Sequence, residues 1–363
     1  AQATDGKLTI PPADLDTGLI RASLNMGIAG KAKAVGELIT FNPIGAQQYY
    51  AFSPDDLAGD VTGRVNVEFS LNSESGADPD WDVDLQVSDA GSAAEIEGRQ
   101  LDGLVGNIKV DPRRAEFDLQ GNIDGFPSDI AMVVPFENSE VAAKRDIRLQ
   151  LDTAAREKLA PGLETILTGN TSVKVAGAGE TLNVEADLTP ARLSLPWIGW
   201  AKGSGVKASA AFNLLQSDFV TTLSDFNLSG ESFGAIGRID ADKDGLRRAR
   251  FGLAQLNSSD DVSLDIERNG DGIDVDISGK SFDARAIMRH ARAQVKSTGA
   301  SDADVPVNVV GKIGRVQGFH GEHLDNVLIE MRVRSGTVTR LRLTGSTKSG
   351  FPVTLSIDGA GSG

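Results

Sequence analysis

The clearest candidate for metal chemistry is Asp240–Gly245 (DADKDG), whose acidic spacing matches the start of an EF-hand calcium loop. The twelfth position of such a loop would be Phe251, where the geometry needs a bidentate glutamate. Alternating residues on both sides predict strands, whereas an EF-hand is flanked by helices. We interpret the segment as a structural turn and keep calcium binding as the alternative.

The histidines offer a second possible metal site. His320 and His323 flank Gly321 and Glu322, so two imidazoles and a carboxylate lie close in sequence. A strand or turn does not place positions i and i+3 on one face as a helix does, so a solvated turn is the preferred interpretation. His290 is interpreted as a structural helix residue.

The chain has no cysteine, which excludes disulfides and cysteine-ligated metals. We predict no metal and no cofactor.

No catalytic motif stands out. The chain lacks G-x-S-x-G, a P-loop, H-E-x-x-H and a dinucleotide-binding fingerprint after a strand. Its 51 acidic residues form many carboxylate pairs, but no spacing marks a pair for general acid–base work. A net charge of −15 and a pI near 4.7 argue against a nucleic-acid partner. We predict a protein that is not an enzyme.

Two of the three tryptophans lie within four residues of each other, in the segment 196–203 (PWIGWAKG). One interpretation is a plug that packs on the edge of a sheet. The other is an amphipathic rim that contacts lipid or closes a groove, because tryptophan combines a large apolar body with a polar N–H. Trp197 and Trp200 are the rim candidates.

The elements that must position these residues follow a period of two, which is typical of strands with one apolar and one solvated face. Turn signals rich in Gly, Asn and Asp separate the runs, so the strands are predicted to pair mostly antiparallel. Two segments, Thr153–Leu167 and Phe282–Val295, instead predict short helices. The alternating runs lie at residues 61–71, 81–87, 147–151, 182–188, 206–212, 273–277, 327–333 and 353–357.

An internal repeat adds to this pattern. Leu101–Pro127 and Leu324–Pro352 both begin with Leu-Asp, continue through alternating strands and end with Gly-Phe-Pro. Alternation alone does not explain the shared beginning and end. Repetition of one hairpin unit predicts a sheet that grows in one dimension, each unit packing on its neighbours.

Several segments resemble a known family. Thr181–Phe212, which contains PWIGW, is similar to a recurring segment of the AsmA-like family of Gram-negative envelope proteins, closest to its YhdP-type branch. Tyr50–Gly59 (YAFSPDDLAG), Gly63–Val65 and Gly279–Arg285 (GKSFDAR) resemble the same branch. The resemblance covers most of the chain through diffuse motifs.

This resemblance implies an elongated, twisted, mostly antiparallel sheet curled into a groove (taco-like), with one or two short helices. It also implies a periplasmic interior fragment of a bridge-like lipid-transfer protein, anchored to the inner membrane by an N-terminal helix that this sequence lacks. The expected partners are phospholipids and proteins of either membrane. The family supplies no catalytic residues. The candidate groove-lining residues are Val65, Val67, Phe69, Val83, Leu85, Val87, Val184, Val206, Phe212, Ile273, Val275, Ile277, Ile329, Met331 and Val333.

Two other functions compete with lipid transfer. A non-catalytic β-solenoid scaffold of the envelope would have inward residues that interdigitate and leave no void. A polysaccharide enzyme would need a cleft with clustered carboxylates and exposed aromatic residues, and the low number of aromatic residues, 19 in all, argues against it.

We divide the groove into an N-terminal part, residues 1–190, and a C-terminal part, residues 191–363, continuous with the first.

Overall fold

The fold is all-β with two short helices, as the alternation predicts. It is seen here in a computed structural model. One large, mostly antiparallel sheet contains 20 strands and a second sheet contains three. The structure describes residues 1–14, 18–41, 53–72, 79–96, 98–136, 139–154, 166–177, 179, 181–195, 200–217, 219–270, 272–294, 306–334 and 337–358.

Neighbours along the chain are neighbours in the large sheet, as hairpin turns dictate. Its strands follow the order β1 to β8, β10, β11 and β14 to β23, and β19 and β20 pair in parallel, between antiparallel pairs on both sides. Strands β9, β12 and β13 form the small sheet. In chain order the strands are β1 (Gln2–Thr9), β2 (Arg21–Lys31), β3 (Leu57–Ser70), β4 (Asp80–Ser92), β5 (Leu101–Asp111), β6 (Arg114–Ile123), β7 (Phe126–Pro135), β8 (Lys144–Leu151), β9 (Leu167–Thr168), β10 (Thr171–Ala176), β11 (Thr181–Asp187), β12 (Arg192–Leu195), β13 (Trp200–Lys202), β14 (Ala208–Gln216), β15 (Thr221–Gly230), β16 (Gly234–Asp242), β17 (Gly245–Gln255), β18 (Asp261–Asn269), β19 (Gly272–Asp283), β20 (Val307–Gln317), β21 (His323–Arg334), β22 (Thr337–Thr347) and β23 (Pro352–Asp358).

The chain divides into two compact units. Unit 1 comprises Ala1–Gln150 and Lys174–Ala178, and unit 2 comprises Leu151–Val173 and Gly179–Gly363. The division that we predicted between residues 190 and 191 stays a prediction, and it falls within unit 2.

Helix α1 (Ala32–Ile39) follows β2 directly and belongs to unit 1. It buries Ala32 and Val35 against the apolar face of the sheet, in a cluster with Val61, Val87 and Leu104. A second cluster of unit 1 lies around Trp81 and contains Val83, Ala115 and Phe136. The sequence analysis did not predict α1, although Val35, Leu38 and Ile39 recur at helical spacing, because its eight residues are fewer than the roughly 11 over which that period is read.

Helix α2 (Arg285–Gln294) lies in unit 2, within the segment predicted as a helix. It begins three residues later than predicted, because Phe282 and Asp283 still belong to β19. The predicted helix over Thr153–Leu167 lies mostly outside the described residues, and its last residue, Leu167, begins β9.

The internal repeat encodes a β-bulge. In both copies the ladder shifts register just after the shared Leu-Asp, at Asp102 and at Asp325. The next residue adopts a left-handed conformation, Gly103 with φ 59° and Asn326 with φ 55°. Glycine and asparagine tolerate this conformation best, and a bulge bends and twists the strand that carries it. The Leu-Asp beginning therefore marks a bend in the sheet.

Candidate functional site

One face of the sheet in unit 2 carries three continuous rows of apolar residues, each crossing the eleven strands β11, β14–β22 and β23. In each row, nearly every residue lies directly opposite the next across the ladder, or beside it at a bulge. The first row is Leu182, Leu214, Leu223, Ile239, Ala249, Ile266, Val275, Val309, Met331, Leu341 and Ile357. The second row is Val184, Phe212, Phe226, Gly237, Phe251, Leu264, Ile277, Gly311, Ile329, Leu343 and Leu355. The third row is Ala186, Ala210, Leu228, Ala235, Ala254, Val262, Gly279, Ile313, Val327, Gly345 and Val353.

The dimensions of this face follow from strand geometry. Eleven strands spaced about 4.8 Å apart span about 50 Å, and three rows two residues apart cover about 14 Å along each strand. No charged residue interrupts the rows. Together they form an apolar strip that crosses unit 2 from β11 to β23.

In the second row, Gly237 lies between two phenylalanines, Phe226 and Phe251. The rings of Phe226 and Phe251 meet across the intervening strand, with centroids 5.9 Å apart. Gly237 lies between them, and a Cβ there would come within 1.9 Å of the carbonyl oxygen of Arg250. The glycine is required for the close approach of β16 and β17, and its lack of a side chain lets the two rings touch.

The three rows differ in how much of their side-chain surface is exposed to solvent. The third row includes fully buried residues, with Val262 at 5%, Ile313 at 3% and Val327 at 0% of their accessible surface. Most side chains of the first two rows are only half-buried. At the last strand, Ile357 and Leu355 are 43% and 46% exposed. Apart from Val184, Ala249 and Gly311, which are buried, the residues of the first two rows therefore keep apolar surface accessible.

The third row is covered at one end by a packed cluster that we call the plug. It consists of Leu188, Leu193, Ala208, Ala210 and Phe233, with Trp200 packed against it. The Trp200 ring meets Phe233 edge to face at 5.1 Å. Its Nε1 donates a hydrogen bond to the carbonyl oxygen of Leu256 at 2.9 Å. Trp200 is therefore half-buried in a packed cluster, and both interpretations of segment 196–203 stay predictions. Trp197 lies outside the described residues.

Two buried charges hold the surroundings of the plug. Lys202 is 3% exposed, and its Nζ donates to the carbonyl oxygens of Leu188, Thr189 and Ala191. Burial lowers the pKa of Lys202, and the nearby Asp187 opposes that shift. These donations satisfy the ammonium group fully, which gives the lysine a structural role.

Asp260 is the second buried charge, at 1% exposure. Its carboxylate accepts hydrogen bonds from the backbone N–H groups of Leu256, Asn257 and Asp283 at 2.8–3.1 Å. Burial raises the pKa of Asp260, and the three backbone donors oppose that shift. The carboxylate thus ties the connection between β17 and β18 to the end of β19.

The opposite face of the sheet in unit 2 is polar and ion-paired. Asp265 accepts hydrogen bonds from Arg248 at 2.7 Å and from Arg250 at 3.3 Å. The Arg248 guanidinium holds the pKa of Asp265 below its usual range. Farther along, Asn308 donates to Asp274 at 2.8 Å and accepts from Arg332 at 2.9 Å. The sheet therefore has one apolar and one hydrophilic face.

The predicted groove-lining residues of unit 2 mostly lie in these rows. Ile273 and Val333 lie one step beyond the first row, where both are paired to Val307. Val206 does not join them, because β14 begins only at Ala208 and Val206 lies in the preceding turn with 41% exposure. The residues found within the rows are Val184, Phe212, Val275, Ile277, Ile329 and Met331.

The predicted residues of unit 1 also share one face. Val65 lies opposite Val83 across β3 and β4, and Val67 lies opposite Trp81. Phe69 is paired to Ala22 of β2. Val83 and Val87 are each 5% exposed, so this part of the face is packed.

The sequence patterns missed many members of the strip. Strands β15 to β18, β20 and β22 contribute Leu223, Ile239, Ile266, Val309 and Leu341, among others. The alternation in these strands was available as a signal. Bulges such as the one at Asp225, with φ 51°, shift the alternation and hide it.

The candidate metal sites are occupied by internal contacts. Asp242 is ion-paired with Arg268, and Asp240 accepts hydrogen bonds from Thr222 and Arg238. His323 Nε2 lies 3.5 Å from an Asp325 carboxylate oxygen. Among the residues that the structure describes, no cluster of three or more His, Asp or Glu side chains is arranged to hold a metal ion.

The evidence on function comes from the fold and the apolar strip, because comparisons with known proteins found no match: no protein-family model, curated protein or solved structure matches the chain. Within the described ranges, none of the helices has the length and apolarity needed to span a membrane.

Proposed function

We propose that the chain shields phospholipid acyl chains along the apolar strip, as a non-catalytic segment of a periplasmic bridge-like protein that transfers lipid between the inner and outer membranes. The observation that carries the proposal is the half-exposure of the first and second rows across eleven strands. Soluble proteins rarely leave so long an apolar surface accessible unless it binds something.

The energetics favour a long apolar ligand. Each methylene removed from water contributes about 0.8 kcal/mol, so some thirty methylenes of a phospholipid amount to roughly 20 kcal/mol. A lipid that moved through water would face most of that cost as a barrier. A continuous strip lowers the barrier at every position along its length, because no charged residue interrupts the rows.

The side chains of the strip suit a fluid ligand. They are mainly Leu, Ile, Val and Ala, with no polar group that would fix one headgroup or one chain position. The acidic ion-paired residues lie on the opposite face. The resemblance to AsmA-like proteins supports a phospholipid as the occupant and the periplasm as the location.

Two adjacent residues of β20 allow a matched test. Val309 belongs to the first row, whereas Val310 points to the polar face and is 54% exposed. On β21, Ile329 belongs to the second row and Leu328 is 50% exposed on the polar face. The double variants Val309→Asp/Ile329→Asp and Val310→Asp/Leu328→Asp therefore add the same charges to opposite faces of the same two strands.

The experiment is native mass spectrometry of gently purified protein, with extraction and quantification of bound phospholipid. We expect the wild type and the polar-face variant to retain phospholipid. The apolar-face variant should retain about fivefold less, because a carboxylate in an apolar contact is costly. Circular dichroism confirms that each variant is folded. A folded wild type free of lipid, or equal retention by the two variants, would refute the proposal and favour a scaffold.

A further inference from the structure

Four exposed arginines form a patch on the polar face of the last strands of unit 2. Arg332 and Arg334 lie on β21, and Arg340 and Arg342 lie on β22. They alternate with Met331, Val333 and Leu341 of the apolar face, so their side chains share the opposite face. We call these four residues the arginine patch.

The patch differs from the other cations of this face in its ion pairing. Arg238, Arg248 and Arg315 each lie within 3.0 Å of a carboxylate oxygen. By contrast, among the described residues no carboxylate lies within 4.0 Å of Arg332, Arg334 or Arg342. Arg340 has one long contact, 3.7 Å to an exposed Asp358. Glu330 lies directly across the ladder from Arg342 without an ion pair between them, so Arg332 and Arg334 are the members of the patch that have neither an ion pair nor a directly opposite carboxylate among the described residues.

The register of β21 and β22 also places two like charges directly opposite each other. Arg332 and Arg340 are direct cross-strand partners. Like charges directly opposite each other destabilise a sheet, so this pair has a local cost. An anion between the two guanidinium groups would remove the repulsion.

The surroundings limit the shape of the ligand. The patch is two strands wide, which is about 5 Å between strand axes. Two strands away, β19 carries Asp274 and Asp276 on the same face, and β18 adds Asp265 and Glu267. A planar anionic membrane laid on the patch would meet these carboxylates, whereas a narrow ligand along β21 and β22 would avoid them and would pass only beside Glu330, which lies opposite Arg342.

The spacing along the strands matches an extended peptide. Arg332 and Arg334 are two residues apart on one strand, as are Arg340 and Arg342 on the other, which places side chains about 6.8 Å apart. Carboxylates on alternate residues of an extended chain repeat at the same distance. Arginine binds carboxylates through paired N–H donors, a geometry that lysine lacks.

We propose that the arginine patch binds an extended acidic segment of a partner protein, with carboxylates on alternate residues. The interaction takes place on the polar face and does not use the apolar strip. Lipid retention and peptide binding are therefore separate measurements, and failure of one leaves the other intact.

The test uses the full chain and a fluorescein-labelled ten-residue peptide in which threonine and glutamate alternate. A second peptide of the same composition places its glutamates in one block. Fluorescence anisotropy at low salt gives the dissociation constants. The variant Arg332→Gln/Arg340→Gln removes the opposed pair. The control Lys207→Gln/Lys348→Gln removes the same charge from two exposed lysines outside the strands.

We expect the alternating peptide to bind the wild type more tightly than the block peptide. The arginine variant should weaken binding about tenfold and the lysine control less than about twofold, because charge-assisted bidentate contacts exceed long-range attraction. Thermal melting should show both variants folded. Equal weakening by the two variants, or no binding by the wild type, would overturn the proposal. Sedimentation with phosphatidylglycerol vesicles that depends on Arg332 and Arg340, without peptide binding, would also overturn it in favour of a membrane.

Discussion

The apolar faces of the two units have the same alternation but different burial. In unit 1, Val61, Val83 and Val87 are 4–5% exposed within packed clusters. In unit 2, Val262 and Val327 of the third row are equally buried, whereas Val275 and Val309 of the first row remain half-buried. The difference teaches that an alternating strand specifies which face is apolar, and that neighbouring elements decide whether this face becomes a core or stays accessible.

The covering elements account for the difference. In unit 1, α1 packs Val35 against the sheet beside Val61 and Val87. In unit 2, the plug covers only the Ala208 and Ala210 end of the third row. The first two rows of unit 2 receive no comparable layer from the described elements, so their burial comes from neighbouring side chains of the same face.

The largest expected effect separates the two faces directly. Val83→Asp should lower the free energy of unfolding of unit 1 by about 4 kcal/mol, because it places an unpaired charge in a packed cluster. Val275→Asp should cost unit 2 about 1 kcal/mol, because the carboxylate can reach water. Urea unfolding monitored by tryptophan fluorescence measures both, with Trp81 reporting on unit 1 and Trp200 on unit 2. Equal losses would show that the face of unit 2 is covered.

A smaller effect compares the two copies of the repeat. Gly121 and Gly345 occupy equivalent places opposite the bulges. A Cβ on Gly121 would come within 2.7 Å of Leu104 Cδ2 and 2.9 Å of Leu104 Cα. A Cβ on Gly345 would come no closer than 3.1 Å to Asp325 O. Gly121→Ala should therefore destabilise unit 1 by about 2 kcal/mol, and Gly345→Ala should cost unit 2 under about 1 kcal/mol.

Differential scanning calorimetry of the two alanine variants checks this order. A larger loss for Gly345→Ala would mean that the bulge of the second copy is packed more tightly than that of the first. Similar losses would mean that both bulges relax by the same amount, so the difference in clearance would have no energetic consequence.

The smallest expected effect is a loss of stability of unit 2 at acidic pH. The pKa of Asp265 is lowered by hydrogen bonds from Arg248, and that of Asp240 by Arg238. A carboxyl group whose folded pKa lies below its unfolded value near 3.9 stabilises the fold above that pH and loses the contribution as the pH falls through its folded pKa. Both residues belong to unit 2, so its stability should fall as the pH drops below about 4.

The urea midpoint of a Trp81→Phe variant, whose remaining tryptophans lie in unit 2, should decrease over this range. Arg248→Gln/Arg250→Gln should flatten the decrease, because it removes the donors that lower the pKa of Asp265. Asp260 acts with the opposite sign, since burial raises its pKa. A midpoint that rises on acidification would show that Asp260 dominates.

The sequence predicted the strands and the face on which their apolar residues lie. Alternation depends on local side-chain direction, so the runs around Val65, Val275 and Met331 fall in strands as predicted. The rows could not be predicted, because a row depends on register between strands, and bulges at Asp225 and Asn326 change the register without changing the local composition.

Other differences have local causes. Val206 continues the alternation of β14 by one step, but Ser204 and Gly205 form a turn that ends the strand pattern before it. By residue type alone, Trp200 could lie at a rim. Its contacts with Phe233 and Leu256 place it in the plug, and these tertiary contacts cannot be read from the local sequence. The arginine patch needed the register of β21 and β22, which brings Arg332 opposite Arg340.

The parallel pairing between β19 and β20 has a consequence for the order of folding. Hairpin neighbours such as Asn269 and Gly272 meet across a very short loop, whereas Ile273 pairs with Val307, 34 residues later. Closing a longer loop costs more entropy, and non-local pairings slow folding. Strands β20 to β23 can therefore form a meander of their own before they join β19. The strip becomes continuous only at that late step, after most of its surface has already been made.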